Sequence, residues 1–332
     1  MADERVDVIA TSISGSIQDW RKVERIVPLF AARGMTDVRL RVADSHREAR
    51  AVTAAVLREG ARLPISAGGS GTFNAVLEGC LDSGVPLREL RLGFLRKGSA
   101  DLIGKVLGMR DEIEAAVDVF VTSIREGRTA PCDVLLAESA AGNAPPRHFV
   151  GYGGAEIFGR IPHYTENRFI KWYKGVLGQV FGDLGPFTTG MTLASLEKVA
   201  KRPFRRPCTW RLVVDGRPAA EGRYHAFILV NGYLGPELPW SRDPLGSGRF
   251  HLFALRNRGL ARLPAQAWHA RRADIQADPE RWGLESYAVT ERLELAPDGE
   301  EPFPLNVDGS TLVCRGAARV SRVDSIRLIS RD

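Results

Sequence analysis

Three glycines and several small polar residues lie together in the stretch ISAGGSGTFNAVLEGC, residues 65–80. A strand-like apolar run precedes the glycines, and residues of helical periodicity follow them. At such a turn, backbone N–H groups and the positive end of the helix are aimed at phosphate. A glycine turn that merely packs a helix onto a sheet fits the pattern as well, and neither Walker A nor GxGxxG is present. The candidate phosphate-contacting residues are Gly68, Gly69, Ser70, Gly71, Thr72 and Asn74.

The pattern of the sequence changes near residue 128, well after this turn. Before it, strand-like and helix-like segments alternate, which predicts a parallel sheet with helices on both faces. Residues 18–33 and 46–60 are predicted helices on their apolar periodicity. After it, β-type runs predict an antiparallel sandwich, and the Asp-Gly pair of VDGR, residues 214–217, predicts a hairpin. The chain therefore divides into an α/β domain, residues 1–128, and a sandwich domain, residues 129–320.

Composition limits the classes of function. The 46 Lys and Arg residues outnumber the 40 Asp and Glu residues, and the net charge of +6 favours anionic partners such as nucleotides or an anionic membrane surface. A nucleic-acid partner is not predicted, because KRPFRR at 201–206 is only a short loop cluster. Four widely spaced cysteines, a charged start and the lack of an apolar run of about 20 residues predict a cytoplasmic protein without a membrane-spanning segment.

The order of several motifs resembles that of the diacylglycerol kinase catalytic-domain family, which includes sphingosine and ceramide kinases and bacterial lipid kinases. The family has GGDGTxNEV and later GTxND, where this chain has GGSGTFNAV and then LGFLRKGSADLIGKVLGM. TSISG, residues 11–15, stands where the family has an NPxSG-like turn. Three later passages resemble the family's GxGxDA, DDGxL and VDGE regions: FVGYGGAEIF, FILVNGYLGPELPWSRDPLGSGRFHLF and PLNVDGS. The resemblance covers most of the chain in the family's order.

This resemblance implies a fold and a set of site residues. The fold is an α/β N-terminal domain of the NAD kinase and diacylglycerol kinase type, with a parallel sheet, followed by a C-terminal antiparallel β-sandwich; residues 321–332 return to the first domain. ATP would bind at the glycine turn. Mg²⁺ would be held with help from Asp101, and Asp308 of PLNVDGS would act as the general base on an acceptor hydroxyl. Further candidate nucleotide-binding residues are Thr11, Gly98 and Ser99, together with Arg96 and Lys97, which would add positive charge where the common family pattern is less basic.

Several acidic positions of the family are not acidic in this chain. Phosphoryl transfer depends on positioning and on charge neutralisation, usually by Mg²⁺ that carboxylates hold. The replacing residues are Ser70, Ala75, Leu102, Gly246, Ser247 and Ser310. Two interpretations stay open: a divergent kinase that rebuilds its metal site from Asp101, Asp308 and the ATP phosphates, and a catalytically impaired nucleotide-binding protein with a regulatory or scaffold role.

The resemblance and the basic balance predict a lipid-like alcohol as the acceptor, such as diacylglycerol, a sphingoid base or a ceramide-like lipid. The protein would reach it by peripheral contact at the inner face of the membrane. RFIKWYKGVLGQVFGDLG, residues 168–185, has the mixture of aromatic, basic and apolar residues of an interfacial element, and equally that of a helix packed on the sandwich. An NAD-kinase-like role is a weaker variant, and a homodimer is left open.

Overall fold

The computed structural model describes residues 4–12, 20–96, 102–165, 185–201, 208–236, 238–272 and 274–332. The chain forms two compact units, Met1–Val134 with Asp324–Asp332, and Leu135–Val323. The sequence-based boundaries were 128/129 and 320/321. Both structural boundaries fall inside long strands, where the amino-acid pattern does not change.

The elements have the following bounds. The strands are β1 Val6–Thr11, β2 Val38–Ala43, β3 Leu63–Gly68, β4 Arg91–Arg96, β5 Thr129–Ser139, β6 Arg147–Phe149, β7 Tyr152–Glu156, β8 Trp210–Val214, β9 Arg217–Gly222, β10 Tyr224–Val230, β11 Phe250–Arg256, β12 Leu284–Val289, β13 Arg292–Pro297, β14 Phe303–Val307, β15 Ser310–Cys314 and β16 Ala318–Ile329. The described helices are α1 Trp20–Glu24, α2 Ile26–Ala31, α3 His46–Arg58, α4 Ser70–Asp82, α5 Leu102–Val106, α6 Ile113–Glu126, α7 Ile161–Thr165, α8 Gly185–Lys201, α9 Leu263–Arg272 and α10 Pro279–Trp282.

The first unit is built on a parallel sheet, as the alternation of strands and helices predicts. Its order is β2-β1-β3-β4, and the end of β16 pairs parallel to β4, with Arg327 opposite Arg91. The helix predicted over 46–60 is α3, which begins at His46 after the N-cap Ser45, whose hydroxyl accepts a hydrogen bond from the Glu48 N–H.

The helix predicted over 18–33 is divided, and its sequence explains the division. Helix α1 ends at Glu24, and α2 begins at Ile26. Pro28 has no backbone N–H, and its ring clashes with the carbonyl four residues earlier in a continuous helix. That carbonyl belongs to Glu24, so the first helix ends there.

Helices α3 and α4 pack closely at a glycine. A Cβ on Gly79 would lie 2.6 Å from the Arg50 carbonyl oxygen and 2.6 Å from the Thr53 Cβ. The Arg50 guanidinium also donates to both carboxylate oxygens of Asp82, at 2.5 and 2.8 Å. The two helices that follow β2 and β3 are thereby fixed to each other.

The second unit is an antiparallel β-sandwich, also as predicted. One sheet has the order β12-β11-β10-β7-β14-β15, and the other contains β16-β13-β8-β9 with β5 and β6. Side chains of both sheets share one core, which includes Trp210, Phe227, Phe250 and Leu305. The hairpin predicted at VDGR joins β8 to β9. Across the described residues, no helix is both long and apolar enough to cross a membrane.

The glycines of GYGG serve the packing of a central strand. Strand β7 lies between β10 and β14. A Cβ on Gly154 would lie 2.1 Å from the Phe227 carbonyl oxygen, and one on Gly153 would lie 2.7 Å from the Asn306 carbonyl oxygen. Backbone atoms cannot move aside as a flexible side chain can, so the neighbouring strands leave no room for a side chain here.

We therefore expect Gly154→Ala to destabilise the protein strongly. Forcing one methyl group into a closely packed strand typically costs about 1–3 kcal/mol of unfolding free energy. Gly299→Ala is the matched control, because a Cβ there would have no neighbour within 4 Å. Thermal unfolding measures both variants. Equal melting temperatures for the two would contradict the tight packing of β7.

Candidate functional site

The carboxyl ends of β1 and β3 lie at a reversal of strand order in the first unit. From β1 the chain crosses to β2 on one side, and later enters β3 on the other side of β1. Such a reversal of strand order opens a crevice at the carboxyl edge of a parallel sheet, where ligands bind in open α/β folds. The glycine turn follows β3 directly and so lies at this edge.

The glycine turn holds the end of β1 and the start of α4 together. The hydroxyl oxygens of Thr11 and Thr72 lie 2.7 Å apart in a buried hydrogen bond. A Cβ on Gly68 would lie 2.4 Å from the Thr72 hydroxyl oxygen, so a glycine is needed for this approach. Two candidate residues of the sequence analysis thus serve to position the turn.

The start of α4 presents backbone donors without a side-chain cap. Gly69, which precedes the helix, has extended backbone, and no side chain caps the helix here. The first N–H groups of a helix have no partner within it, and they attract anions together with the helix dipole. Ser70 is exposed, and Asn74 has a buried amide oxygen without a partner among the described residues. This arrangement fits a phosphate group and leaves an acceptor for a ligand donor.

The chain that follows β2 brings two residues to this edge that the sequence analysis did not name, Asp44 and His46. The exposed His46 ring lies against the turn, since a Cβ on Gly71 would be 2.7 Å from its Cε1 and 2.9 Å from its Nε2. The Ser12 hydroxyl donates to Asp44 at 3.0 Å. Parallel strands share one carboxyl edge, so the end of β2 in ADSHRE was a signal that could have found them.

Part of the predicted nucleotide site lies outside the described residues. Arg96 ends β4, but its side chain is not described. Lys97, Gly98, Ser99 and Asp101 lie outside the described ranges, as does nearly all of the predicted interfacial segment 168–185. No three His, Cys, Asp or Glu side chains of the described ranges come together as a metal site.

Asp308 occupies a two-residue turn of the second unit. Asp308 and Gly309 have φ angles of 45° and 83° between β14 and β15, as a type I′ hairpin requires. The Asp308 carboxylate accepts three backbone hydrogen bonds, from Val150 at 3.0 Å, Gly151 at 3.2 Å and Tyr152 at 2.8 Å. Burial raises the pKa of Asp308, and the three N–H donors act in the opposite direction. The carboxylate therefore holds the β6–β7 connection in place.

Asp215 of VDGR does the same in the other hairpin. Asp215 and Gly216 have φ angles of 48° and 76°. The Asp215 carboxylate accepts N–H bonds from Thr290, Glu291 and Arg292, at 2.8 to 3.0 Å. Burial raises the pKa of Asp215, but these donors outweigh burial and lower it to about 2. The two turns show one structural use of Asp-Gly, and the catalytic role of Asp308 stays a prediction.

Comparison with known proteins supports the resemblance that the motifs predict. Residues 5–137 match the family model of the diacylglycerol kinase catalytic domain. A crystal structure described as a "putative diacylglycerol kinase" from Bacillus anthracis strain Sterne aligns with a TM-score of 0.68 at 16% identity, over 98% of this chain and 97% of that one. A second, described as a diacylglycerol kinase of the same strain, has a TM-score of 0.66 at 16% identity over 99% and 98%. No curated protein matches the sequence.

These comparisons confirm the predicted family resemblance and the fold class. The family model covers the unit that contains the glycine turn. The solved structures share the fold over nearly the whole chain. Residues 5–137 thus resemble a diacylglycerol kinase catalytic domain, and the chain as a whole has the fold of the solved structures.

The paired Asp-Gly turns give a prediction for stability. Asn also tolerates positive φ, so Asp308→Asn keeps the turn but leaves buried N–H donors facing an amide NH₂ group. An unsatisfied buried donor costs about 1–3 kcal/mol, and we expect a loss of unfolding free energy of that size. Asp215→Asn should cost less, because Asp215 is only partly buried. Urea unfolding measures both.

Asp215 should also contribute to acid sensitivity. Its folded pKa of about 2 lies below the ordinary aspartate value of 3.8, so its contribution is present above pH 3.8 and lost as the pH falls towards 2. In Asp215→Asn the unfolding free energy should therefore fall less steeply across this range. If the unfolding free energy of Asp215→Asn depended on pH below 4 as that of the wild type does, the hydrogen bonds to Asp215 would not stabilise the folded state.

Proposed function

We propose that the protein binds ATP at the glycine turn and transfers its terminal phosphate to a hydroxyl of a lipid. The observation that supports this most is the glycine turn itself, at the reversal of strand order and inside the region that matches the diacylglycerol kinase catalytic domain. That the acceptor is a lipid is a more specific part of the proposal than ATP binding. It rests on that family and on the basic composition.

The described residues have separate roles in this proposal. Backbone N–H groups at the start of α4 and the Ser70 hydroxyl bind phosphate oxygens. Thr11 and Thr72 position the turn through their 2.7 Å hydrogen bond. His46 forms one wall of the site through its contact with Gly71. Arg96, Lys97, Gly98 and Ser99 complete the nucleotide site, and Asp101 helps to hold Mg²⁺, which would neutralise phosphate charge.

The proposed reaction is a single displacement. The lipid oxygen forms a bond to the γ-phosphorus, the bond to the bridging oxygen breaks, and ADP leaves with the electron pair. The hydroxyl proton passes to a carboxylate, and Asp308 is the proposed base. Base assistance is typically worth about 10²–10⁴-fold in rate.

Comparison of the two Asp-Gly turns tests this role of Asp308. If Asp308 is the base, Asp308→Asn should lose turnover by at least about 100-fold while binding ATP normally. Asp215→Asn, which changes an equivalent turn, should keep turnover at temperatures where both variants are folded. Equal turnover in both would assign Asp308 to structure alone.

Gly71→Val tests nucleotide binding. The valine side chain would displace the exposed His46 ring and enter the phosphate path, so calorimetry should detect ATP binding by the wild type and none by the variant. The fold should survive, because the nearest neighbours of the new Cβ are atoms of an exposed side chain. Ala51→Val, which adds bulk on the exposed face of α3, is the control. A wild type that binds neither ATP nor ADP in the presence of Mg²⁺ would refute the proposal.

Incubation with γ-labelled ATP and extracted membrane lipids tests the transfer. A labelled lipid product identifies the acceptor class. Label that appears only in a water-soluble product would refute a lipid acceptor, and phosphorylation of NAD would favour an NAD-kinase-like activity.

A second function is favoured by one observation. Ser70 and Ala75 replace acidic residues of the family, and the loss of carboxylates would weaken the binding of Mg²⁺. A catalytically impaired nucleotide-binding protein with a regulatory or scaffold role has this pattern. Clear ATP binding without transfer to any acceptor would establish it.

A further inference from the structure

Helix α9 carries a tryptophan that points into solvent. The Trp268 residue is 57% exposed, although tryptophan side chains are usually well buried in folded proteins. Pro264 and Ala265, one turn before it on the same face of the helix, are also exposed, as is Ala261 just before the helix. This face presents apolar groups to solvent, with the large ring of Trp268 at its centre.

The chain around Trp268 is uniformly basic. Residues 257–273 contain Arg258, Arg262, Arg271 and Arg272 and no Asp or Glu. Arg258 and Arg262 are exposed, and neither pairs with an acidic side chain among the described residues. Arg272 does pair, with Asp274 at 3.3 Å, and Asp274 also contacts His269 at 2.9 Å. The positive charge that remains available therefore lies just before the helix.

The rest of α9 is firmly attached to the sandwich. Leu263 and Ala270 are buried on the opposite face. The buried Gln266 side chain donates to the carbonyl oxygens of Arg256 at 3.1 Å and Trp282 at 2.7 Å. These bonds connect the helix to the ends of β11 and α10. The exposed face of α9 is thus held rigidly and does not need to fold on binding.

We propose that Arg258, Arg262 and the exposed face of α9 form a docking surface for an anionic lipid membrane. A helix that lies in the membrane interface combines a ring at the headgroup level with cationic side chains for anionic lipids. Small apolar residues around Trp268 offer no hydrogen bonds to bases, which favours lipid over nucleic acid. The proposed lipid acceptor explains why the protein would bind a membrane, and the inference rests on it only in that respect. Docking itself requires neither ATP nor turnover.

Sedimentation with lipid vesicles tests the docking surface on the full chain. The wild type should bind vesicles of phosphatidylglycerol and phosphatidylcholine in equal parts, bind pure phosphatidylcholine poorly, and lose binding at high salt. Each arginine near an anionic surface contributes about fivefold, so Arg258→Gln with Arg262→Gln should weaken binding about 25-fold. Trp268→Ser should weaken it at least about tenfold.

Matched variants separate this surface from general charge. Arg211→Gln with Arg217→Gln removes the same charge from exposed positions of the β8–β9 hairpin and should retain most of the binding. Brominated lipids should quench tryptophan emission of the wild type more than that of Trp268→Phe. ATP affinity should be equal in all variants, so a failure of the kinase proposal would be seen separately.

Three results would overturn the docking surface. These are no vesicle binding by the wild type, equal loss in the two double-arginine variants, or unchanged binding of Trp268→Ser. Binding to duplex DNA in preference to anionic vesicles, lost in Arg258→Gln with Arg262→Gln, would assign the surface to nucleic acid instead.

Discussion

Helix α4 begins against the end of β1 because two threonine hydroxyls meet there without an intervening side chain. Thr11 and Thr72 lie 2.7 Å apart, and a Cβ on Gly68 would reach within 2.4 Å of the Thr72 hydroxyl. The hydrogen bond fixes the first turn of α4 to the sheet. Gly79 then brings α3 onto α4, and α3 carries His46 to the turn. The candidate phosphate site therefore depends on two close approaches that only glycine allows.

Glycine has different structural roles at these positions, and the sequence alone does not distinguish them. Gly68 and Gly154 have no positive φ; both are required by neighbouring atoms. Gly216 and Gly309 have positive φ and form tight turns. The hairpin at VDGR was predictable, since Asp-Gly alone specifies the turn. The need for Gly154 was not, because it depends on carbonyl groups of strands that lie far away in the sequence.

The features of the site that were predictable depend on local sequence, and those that were not depend on contacts between distant parts of the chain. The glycine turn, the parallel sheet and the sandwich follow from local pattern. Pro28 divides the helix predicted over 18–33 through an effect that is also local, because its ring clashes with the carbonyl of residue 24. The end of the first helix was therefore predictable from the sequence. His46 and Asp44 were missed because their place at the turn follows from the pairing of β2 with β1. The backbone partners of Asp308 belong to a strand connection more than 150 residues earlier.

The position of the basic residues says more about a partner than the net charge does. The formal charge of +6 predicts an anionic partner but gives no position for it. Residues 257–273 contain four arginines and no acidic residue, next to an exposed tryptophan. Some other arginines are paired with carboxylates, as Arg50 is with Asp82 and Arg249 with Asp243. An excess of positive charge concentrated just before one rigid helix acts over about a Debye length, 8–10 Å at physiological salt, and so would orient the protein on an anionic surface. The same excess spread over the chain would only raise its general affinity for anions.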